Sequence, residues 1–223
     1  MVKIKICGLT NINDVLNAHF YGADLLGFIF VENTPRYVSD IKNILSYFSL
    51  EKRKKVNIVG LFRDTDINYI LEKIGGLGFD FVQLHGDESP GYCLLLKEKF
   101  KNKFNESIKI IKTFKINKNS LLLNEKYDII DYEKNIDFFL FDTYHPSLSG
   151  GTGLRFDLQC LGKIKQKINK PFFIAGGFNP DNVINAIKEI NPYGIDISSG
   201  VEKKIGIKDK SLLERFIKNA KHS

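Results

Sequence analysis

Two side chains that could exchange protons stand where apolar runs of the sequence end. Cys7 follows the run Lys3–Ile6, and Asp142 follows the run Phe138–Phe141. A thiol, with an ordinary pKa of about 8.5, acts as a base once its thiolate is stabilised. A carboxyl group at the end of so apolar a run loses water, which raises its pKa and lets it serve as a general acid. The plainer alternatives are an inert buried cysteine and an aspartate that caps a helix or belongs to a loop.

Two glycine-containing segments follow later apolar runs of the sequence. Glycine lets backbone N–H groups approach an anion closely, and a helix that starts nearby adds its dipole. Glycines in such places also simply form tight turns. We expect these segments to bind a phosphate group through Gly176, Gly177, Ser198, Ser199 and Gly200.

The remaining histidines and cysteines carry weaker signals. We interpret His85 as a hydrogen-bonded residue at a turn rather than a catalytic one, and Cys93 and Cys160 as buried helix residues. The four histidines do not stand at metal-ligand spacing from the cysteines. The spacing of these residues therefore gives no indication of a metal site.

The elements that must position these residues follow a regular cadence. Short apolar runs alternate with amphipathic stretches, as buried parallel strands do when helices cover both faces of the sheet. The predicted strands are Lys3–Ile6, Leu25–Phe30, Val56–Phe62, Phe79–Leu84, Ile108–Thr113, Asp137–Asp142, Pro171–Ala175 and Gly194–Ser198.

Helical patterns lie between the predicted strands. One apolar face is traced by Ile67, Ile70, Leu71 and Ile74, and others begin near Asp14, Val183 and Leu212. Eight strands and about eight helices predict an α/β fold, a single (β/α)8 TIM barrel over residues 1–223. A doubly wound sheet is the structural alternative, but it carries a glycine-rich turn after its first strand, where only Gly8 stands here.

The charge of the chain permits, but does not favour, a nucleic-acid partner. The net charge is +7 at pH 7, and only five of the 33 basic residues are arginine. Lysine is spread along the whole chain, which we interpret as composition bias rather than a binding surface. A clustered basic and aromatic face, and salt-dependent retention on DNA, would support the other interpretation.

Composition also bears on the compartment. Three cysteines are too few for a disulfide-stapled scaffold and fit a reducing environment. No segment approaches the roughly 18 apolar residues of a membrane span. The first residues look like the first strand of a mature cytosolic protein. We therefore expect a cytoplasmic protein without a membrane partner.

Taken together and in order, the motifs resemble phosphoribosylanthranilate isomerase, a cofactor-free enzyme family of tryptophan biosynthesis. The resemblance covers nearly the whole chain. The matching segments are Lys5–Thr10, Pro35–Val38, Val82–Gly86, Phe141–Thr143, Gly150–Gly153, Phe156–Asp157, Gly176–Gly177, Asn179–Val183 and Asp196–Glu202.

This resemblance implies an Amadori rearrangement of an aminoaldose phosphate to an aminoketose phosphate. Cys7 matches the family's general base and Asp142 its general acid. Arg36 matches the residue that faces the anthranilate carboxylate, and Gln83 lies in a matching substrate-binding motif. The partner is thus a phosphorylated small molecule, and the protein is expected to be a monomer or a homodimer.

Some positions depart from the family pattern. Leu158, Phe178 and Arg63 replace the residues that are common there, and the stretch 115–135 is longer than usual. A histidine-pathway isomerase performs the same type of rearrangement and is the nearest alternative. That family resembles a design with two aspartates, with an acidic residue near the end of the first strand, whereas this chain has Cys7.

Overall fold

The computed structural model describes most of the chain. The described residues are 1–46, 56–116, 121–122, 127–143 and 158–223. The lysine-rich run 52–55, His145, and the motifs 150–153 and 156–157 therefore lie outside the described residues.

Eight parallel strands form a closed barrel, which confirms the predicted fold. The barrel strands are β1 (Lys3–Ile6), β2 (Leu25–Ile29), β3 (Asn57–Phe62), β4 (Phe81–Leu84), β5 (Lys109–Ile116), β7 (Phe138–Thr143), β8 (Phe172–Ala175) and β9 (Gly194–Ile197), and the short strand β6 (Leu121–Leu122) lies outside this closed set. The order of the barrel strands is β4-β3-β2-β1-β9-β8-β7-β5, and pairing of β4 with β5 closes the barrel.

Helices connect the strands on the outside of the barrel. Local signals fix the ends of the first helix, Ile12–Tyr21: the Asn11 side chain accepts a hydrogen bond from the Asp14 N–H at its start, and Gly22, with φ of +97°, ends it. The α-helices of the described chain are α1 (Ile12–Tyr21), α2 (Lys42–Ser46), α3 (Ile67–Ile74), α4 (Pro90–Phe104), α5 (Leu158–Lys165), α6 (Val183–Ile190) and α7 (Lys210–Lys221). None of them is long and apolar enough to span a membrane.

Alternation along the strands divides the barrel into two apolar layers. The larger cluster lies between the strands and the helices. A smaller cluster fills the barrel interior and includes Leu25, Val59, Phe81, Ile111, Leu140 and Phe173. Closer to the carboxyl ends of the strands, the residues that point into the barrel are buried and polar instead of apolar. They are Lys5, Gln83, Thr113 and Asp196. The apolar floor thus supports a polar upper layer at the carboxyl ends of the strands.

The structure adds elements that the sequence pattern did not predict. β5 runs three residues beyond the expected end at Thr113, to Ile116, and pairs there with the antiparallel β6 (Leu121–Leu122). A 3-10 helix over Ile129–Tyr132 follows within the long stretch before β7. After β9, β10 (Glu202–Lys204) and β11 (Ile207–Lys208) form an antiparallel hairpin. These strands are only two or three residues long, so they lack the continuous apolar run that identifies a barrel strand.

Candidate active site

A cavity of about 400 Å³ opens at the carboxyl ends of the barrel strands. It brings together every site residue predicted from the sequence: Cys7, Arg36, Gln83, Asp142, Gly176, Gly177, Ser198, Ser199 and Gly200. Two of the positions that depart from the family pattern, Arg63 and Phe178, also line it. The volume lies in the range of pockets that enclose small organic ligands.

Cys7 directly follows β1 and is 5% exposed. Burial raises the pKa of its thiol, because a thiolate loses solvation there. The Lys5 ammonium opposes this shift, and the Asp196 carboxylate reinforces it. The site therefore holds Cys7 mainly as a thiol, while two buried cations, Lys5 and Lys208, favour its ionisation.

Asp142 lies near the end of β7, on the inner face of the barrel. Burial raises the pKa of its carboxyl group to about 6, and the negative charge of Asp196 adds to this effect. Lys115 and Lys5 oppose the shift. The raised pKa agrees with the desolvation expected at the end of an apolar strand. The contribution of Asp196 was not foreseen.

His85 lies between Gln83 and Asp142. Its Nδ1 is 3.4 Å from Gln83 Nε2, and its Nε2 is 3.7 Å from Asp142 Oδ2. Burial, together with nearby lysines, lowers the pKa of His85 to about 4, so the ring is neutral at pH 7. A Gln83 amide that donates to Nδ1 leaves the ring proton on Nε2, directed at Asp142. Gln83 Oε1 is buried and has no hydrogen-bond partner among the described residues.

Arg36 takes part in a network of ion pairs on one side of the cavity. Its Nε and one terminal nitrogen bind the two carboxylate oxygens of Glu202, at 2.8 and 2.6 Å. Lys208 Nζ also binds Glu202, at 3.0 Å, and donates to the Ser198 carbonyl oxygen at 3.1 Å. The hydrogen bonds that Arg36 donates to Glu202 raise the pKa of Arg36. The guanidinium is thus held at the cavity wall with one terminal nitrogen outside the Glu202 pair.

The two glycine-containing segments border the cavity after β8 and β9. Gly176 and Gly177 have φ angles of +101° and +62°, a conformation that other residues rarely adopt. Gly200 packs so closely that a Cβ would lie 1.8 Å from the carbonyl oxygen of Phe178. Ser199–Val201 forms a three-residue 3-10 helix directly after β9.

The described residues contain no group of three His, Cys, Asp or Glu side chains placed to hold a metal ion. Lysine is the more prominent buried polar residue: Lys5, Lys112 and Lys208 are each at most 4% exposed. Each of these lysines is paired with a carboxylate, at 2.9 to 3.0 Å. Such pairing offsets part of the cost of burying a charge.

Sequence reasoning assigned no role to four residues of the site: Lys5, Asp196, Glu202 and Lys208. Three of them, Lys5, Asp196 and Glu202, lie inside the matching segments Lys5–Thr10 and Asp196–Glu202, in which other residues were assigned the roles. The available signal was strand alternation, because a residue two positions from an active-site residue shares its face. Lys5 stands in this relation to Cys7, and Asp196 stands in it to Ser198.

The closed parallel barrel, with a polar cavity at the carboxyl ends of its strands, defines a TIM-barrel enzyme. Residues 4–219 match the model of the N-(5'phosphoribosyl)anthranilate (PRA) isomerase family. A Geobacter sp. (strain M21) protein of this name is 37% identical over 221 residues, 99% of this chain and 98% of that protein. A Microcystis aeruginosa relative of the same name is 38% identical over 97% of this chain and 98% of its own length.

Solved structures agree with the sequence comparison. Phosphoribosyl anthranilate isomerase from Thermotoga maritima is 32% identical, with a TM-score of 0.81 over the full length of both chains. A phosphoribosyl anthranilate isomerase in complex with reduced 1-(o-carboxyphenylamino)-1-deoxyribulose 5-phosphate is 31% identical, with a TM-score of 0.79 and full coverage of both chains. The chain therefore belongs to the N-(5'-phosphoribosyl)anthranilate isomerase family. This confirms the resemblance and the expected function, an aldose–ketose isomerase of tryptophan biosynthesis.

Proposed function

We propose that the chain rearranges N-(5-phosphoribosyl)anthranilate to 1-(2-carboxyphenylamino)-1-deoxyribulose 5-phosphate by general acid and base catalysis, without a cofactor. The observation that carries the proposal is a single cavity lined by Cys7, Asp142 and the two glycine-containing segments. A base, an acid and a site for the phosphate group are the parts that this reaction needs.

The proposed reaction moves protons and forms no bond to the protein. Asp142 donates its proton to the furanose ring oxygen while the bond from this oxygen to C1′ breaks and the anilino nitrogen forms a C=N bond. Cys7, as a thiolate, then removes the proton from C2′, and the electron pair neutralises the iminium to give an enolamine. The enol oxygen loses its proton and C1′ gains one, which completes the aminoketose, an isomer of the substrate.

The same cavity offers groups of suitable charge for both ends of this substrate. The free terminal nitrogen of the Arg36 guanidinium suits the anthranilate carboxylate, since it can donate a charge-assisted hydrogen bond to a carboxylate oxygen. Backbone N–H groups near Gly176, Gly177, Ser199 and Gly200 suit the phosphate. Gln83, whose amide oxygen has no partner among the described residues, suits a substrate hydroxyl or nitrogen that donates to it.

The setting of the reaction is also part of the proposal. We infer a cytoplasmic enzyme, a small phosphorylated molecule as its partner, and a monomeric or homodimeric state. One solved relative, from Thermotoga maritima and 31% identical to this chain, is described as monomers generated from a dimeric phosphoribosylanthranilate isomerase. Light scattering of the purified chain distinguishes the two states.

The direct test is incubation with freshly made N-(5-phosphoribosyl)anthranilate while the anthranilate-type fluorescence is followed. The wild type is expected to consume the substrate without added metal or cofactor. The variants Cys7→Ala and Asp142→Asn, at equal concentration and with native circular dichroism, are expected to be slower by about 10² to 10⁴. Equal rates in all three would overturn the assignment of the acid and base. A parallel assay with the histidine-pathway aminoaldose measures substrate breadth.

A further inference from the structure

Lys5 is a fully buried cation inside the barrel. Its side chain is 0% exposed, and its Nζ lies 2.9 Å from Asp196 Oδ1 on the neighbouring strand β9. A lysine in the apolar interior costs free energy even when it is paired, and an apolar residue of similar volume is often as stable or more stable. The placement of Lys5 therefore calls for a reason besides packing.

Lys5 points to the same side of β1 as Cys7. The two residues are two positions apart on a strand, so both side chains enter the barrel interior. Both also pack against Gly27 of β2. A Cβ on Gly27 would lie 3.2 Å from Cys7 Sγ and 3.3 Å from Lys5 Cε. The Cys7 and Lys5 side chains therefore lie close together, next to a position of β2 that has no side chain.

The charges around Cys7 come from several elements. Lys5 of β1, Lys208 of β11 and Arg36 present positive charges to the sulfur, while Asp196 of β9 presents a negative one. Lys5 lowers the pKa of the thiol more than Lys208 does.

Lys5 in turn faces other titratable groups of the cavity. Burial alone would lower the pKa of Lys5, but Asp196 and Cys7 together raise it, so the ammonium stays charged. The same charge lowers the pKa values of His85 on the β4 side and of Asp142 on β7. Asp196 and Cys7 each raise the pKa of Lys5 through both their charge and hydrogen bonding.

We propose that Lys5 is a positioning residue: its ammonium, anchored by Asp196, faces the Cys7 sulfur from below and stabilises the thiolate. The inference rests on the proposed role of Cys7 as the base, and it assigns the group that makes this base available in a buried site. Asp196 holds the cation in place, and Gly27 leaves the room that the contact needs. The substrate reaches the sulfur from the cavity, on the side away from Lys5.

The test measures ionisation of the thiol directly. The rate of Cys7 alkylation by iodoacetamide, with the modified site located by mass spectrometry, reports the thiolate fraction at each pH. Loss of a charge within a few ångströms moves a pKa by about 1 to 3 units. In Lys5→Met, alkylation of Cys7 at a fixed pH below the inflection is expected to fall about tenfold or more. Lys5→Arg, which keeps the charge, is expected to restore part of the rate.

Lys112→Met is the matched control. Lys112 is also a buried cation paired with a carboxylate, Glu88 at 3.0 Å, but it lies on the outer face of β5. This variant suffers a similar loss of a buried ion pair, and its Cys7 alkylation profile is expected to match the wild type. Lys5→Gln keeps a donor for Asp196 without the charge and replaces Lys5→Met if the latter does not fold.

The outcomes separate this inference from the proposed function. An unchanged alkylation profile in folded Lys5→Met or Lys5→Gln would overturn the role of Lys5, whatever the activity. A slower alkylation together with an unchanged pH profile of kcat/KM would support Lys5 and remove Cys7 as the base. If both profiles move to higher pH together, the two assignments stand.

Discussion

The guanidinium of Arg36 and the carboxylate of Glu202 form two parallel hydrogen bonds, of 2.8 and 2.6 Å. This bidentate pair fixes the plane of the guanidinium at the cavity wall and leaves one terminal nitrogen outside the pair. Glu202 is only 5% exposed in its side chain, so solvent competes little for the contact. The pair orients Arg36 before any ligand arrives, which reduces the cost of ordering it on binding.

Arg36→Met is expected to weaken binding of a product analogue that carries the aromatic carboxylate by about 10 to 150-fold, since a hydrogen bond to a charged group contributes roughly 1.5 to 3 kcal/mol. The same analogue without the carboxylate is expected to bind both forms equally. Calorimetric titration with the two ligands measures the difference. Arg215→Met, which breaks the exposed pair with Asp181, is the control and is expected to change neither affinity.

The sequence was sufficient for the barrel because buried parallel strands are continuous apolar runs. All eight barrel strands were predicted, with ends within three residues of those observed. The hairpin of β10 and β11 escaped prediction because the sequence Glu202–Lys204 is polar and short. The hairpin contributes Glu202 and Lys208 to the site. These two side chains reach the site through tertiary packing, which a local sequence pattern does not predict.

The candidate site was predicted in its members but not in its electrostatics. Chain position placed Cys7 and Asp142 at one rim, since carboxyl ends of parallel strands meet there. The pKa shifts depend on groups far away in sequence. Asp196, which raises the pKa of Asp142, enters the barrel from another strand. The distance between two side chains on different strands depends on how the barrel closes and on the strand register. Composition and residue spacing do not predict these two properties.

Gly177→Ala is expected to reduce affinity for phosphate-bearing ligands, because its φ of +62° suits glycine and a side chain would disturb the loop at the cavity. The expected effect is a rise in KM and in the inhibition constant of a phosphate-bearing product analogue. Gly22→Ala is the matched control. Gly22 also has a positive φ, of +97°, but it ends α1, and a Cβ there meets nothing within 4 Å.

Both glycine variants carry a similar strain, so both are expected to lose about 1 kcal/mol of unfolding free energy. Only Gly177→Ala is expected to lose affinity, as measured by competitive inhibition. Equal inhibition constants in both variants would contradict a phosphate site at this loop.

Cys7→Ala is expected to lower kcat by about 10² to 10⁴ while binding of the product analogue is retained, because a methyl group cannot accept the C2′ proton. Cys93→Ala is the control: Cys93 is fully buried in α4, and burial raises the pKa of its thiol to about 12. We expect Cys93→Ala to lose about 1 kcal/mol of stability at most and to keep its turnover. Steady-state kinetics of the two variants distinguishes catalysis from packing; a similar loss of kcat in both would contradict the role of Cys7.

The pH dependence of kcat/KM follows from the pKa values of the free protein. The active form has a thiolate at Cys7 and a proton on Asp142, one proton for the pair. Burial raises the pKa of Asp142 to about 6 and raises the pKa of Cys7 above its ordinary value. Between these two values the pair holds one proton, and a minor fraction of molecules carries it on Asp142. The two groups are therefore expected to give a bell-shaped profile with an acid limb near pH 6.

Asp142→Asn is expected to remove this acid limb and to lower turnover by about 10² to 10⁴, because an amide neither titrates near pH 6 nor donates a proton as an acid. His85→Gln is the control. The pKa of His85 is lowered to about 4, so the imidazole is already neutral on both sides of the limb and its loss should leave the limb in place. Profiles of kcat/KM from pH 5 to 9 for the wild type and both variants provide the measurement. If Asp142→Asn kept the limb and turned over at a comparable rate, the acid would be another group, and a limb lost in His85→Gln would identify His85.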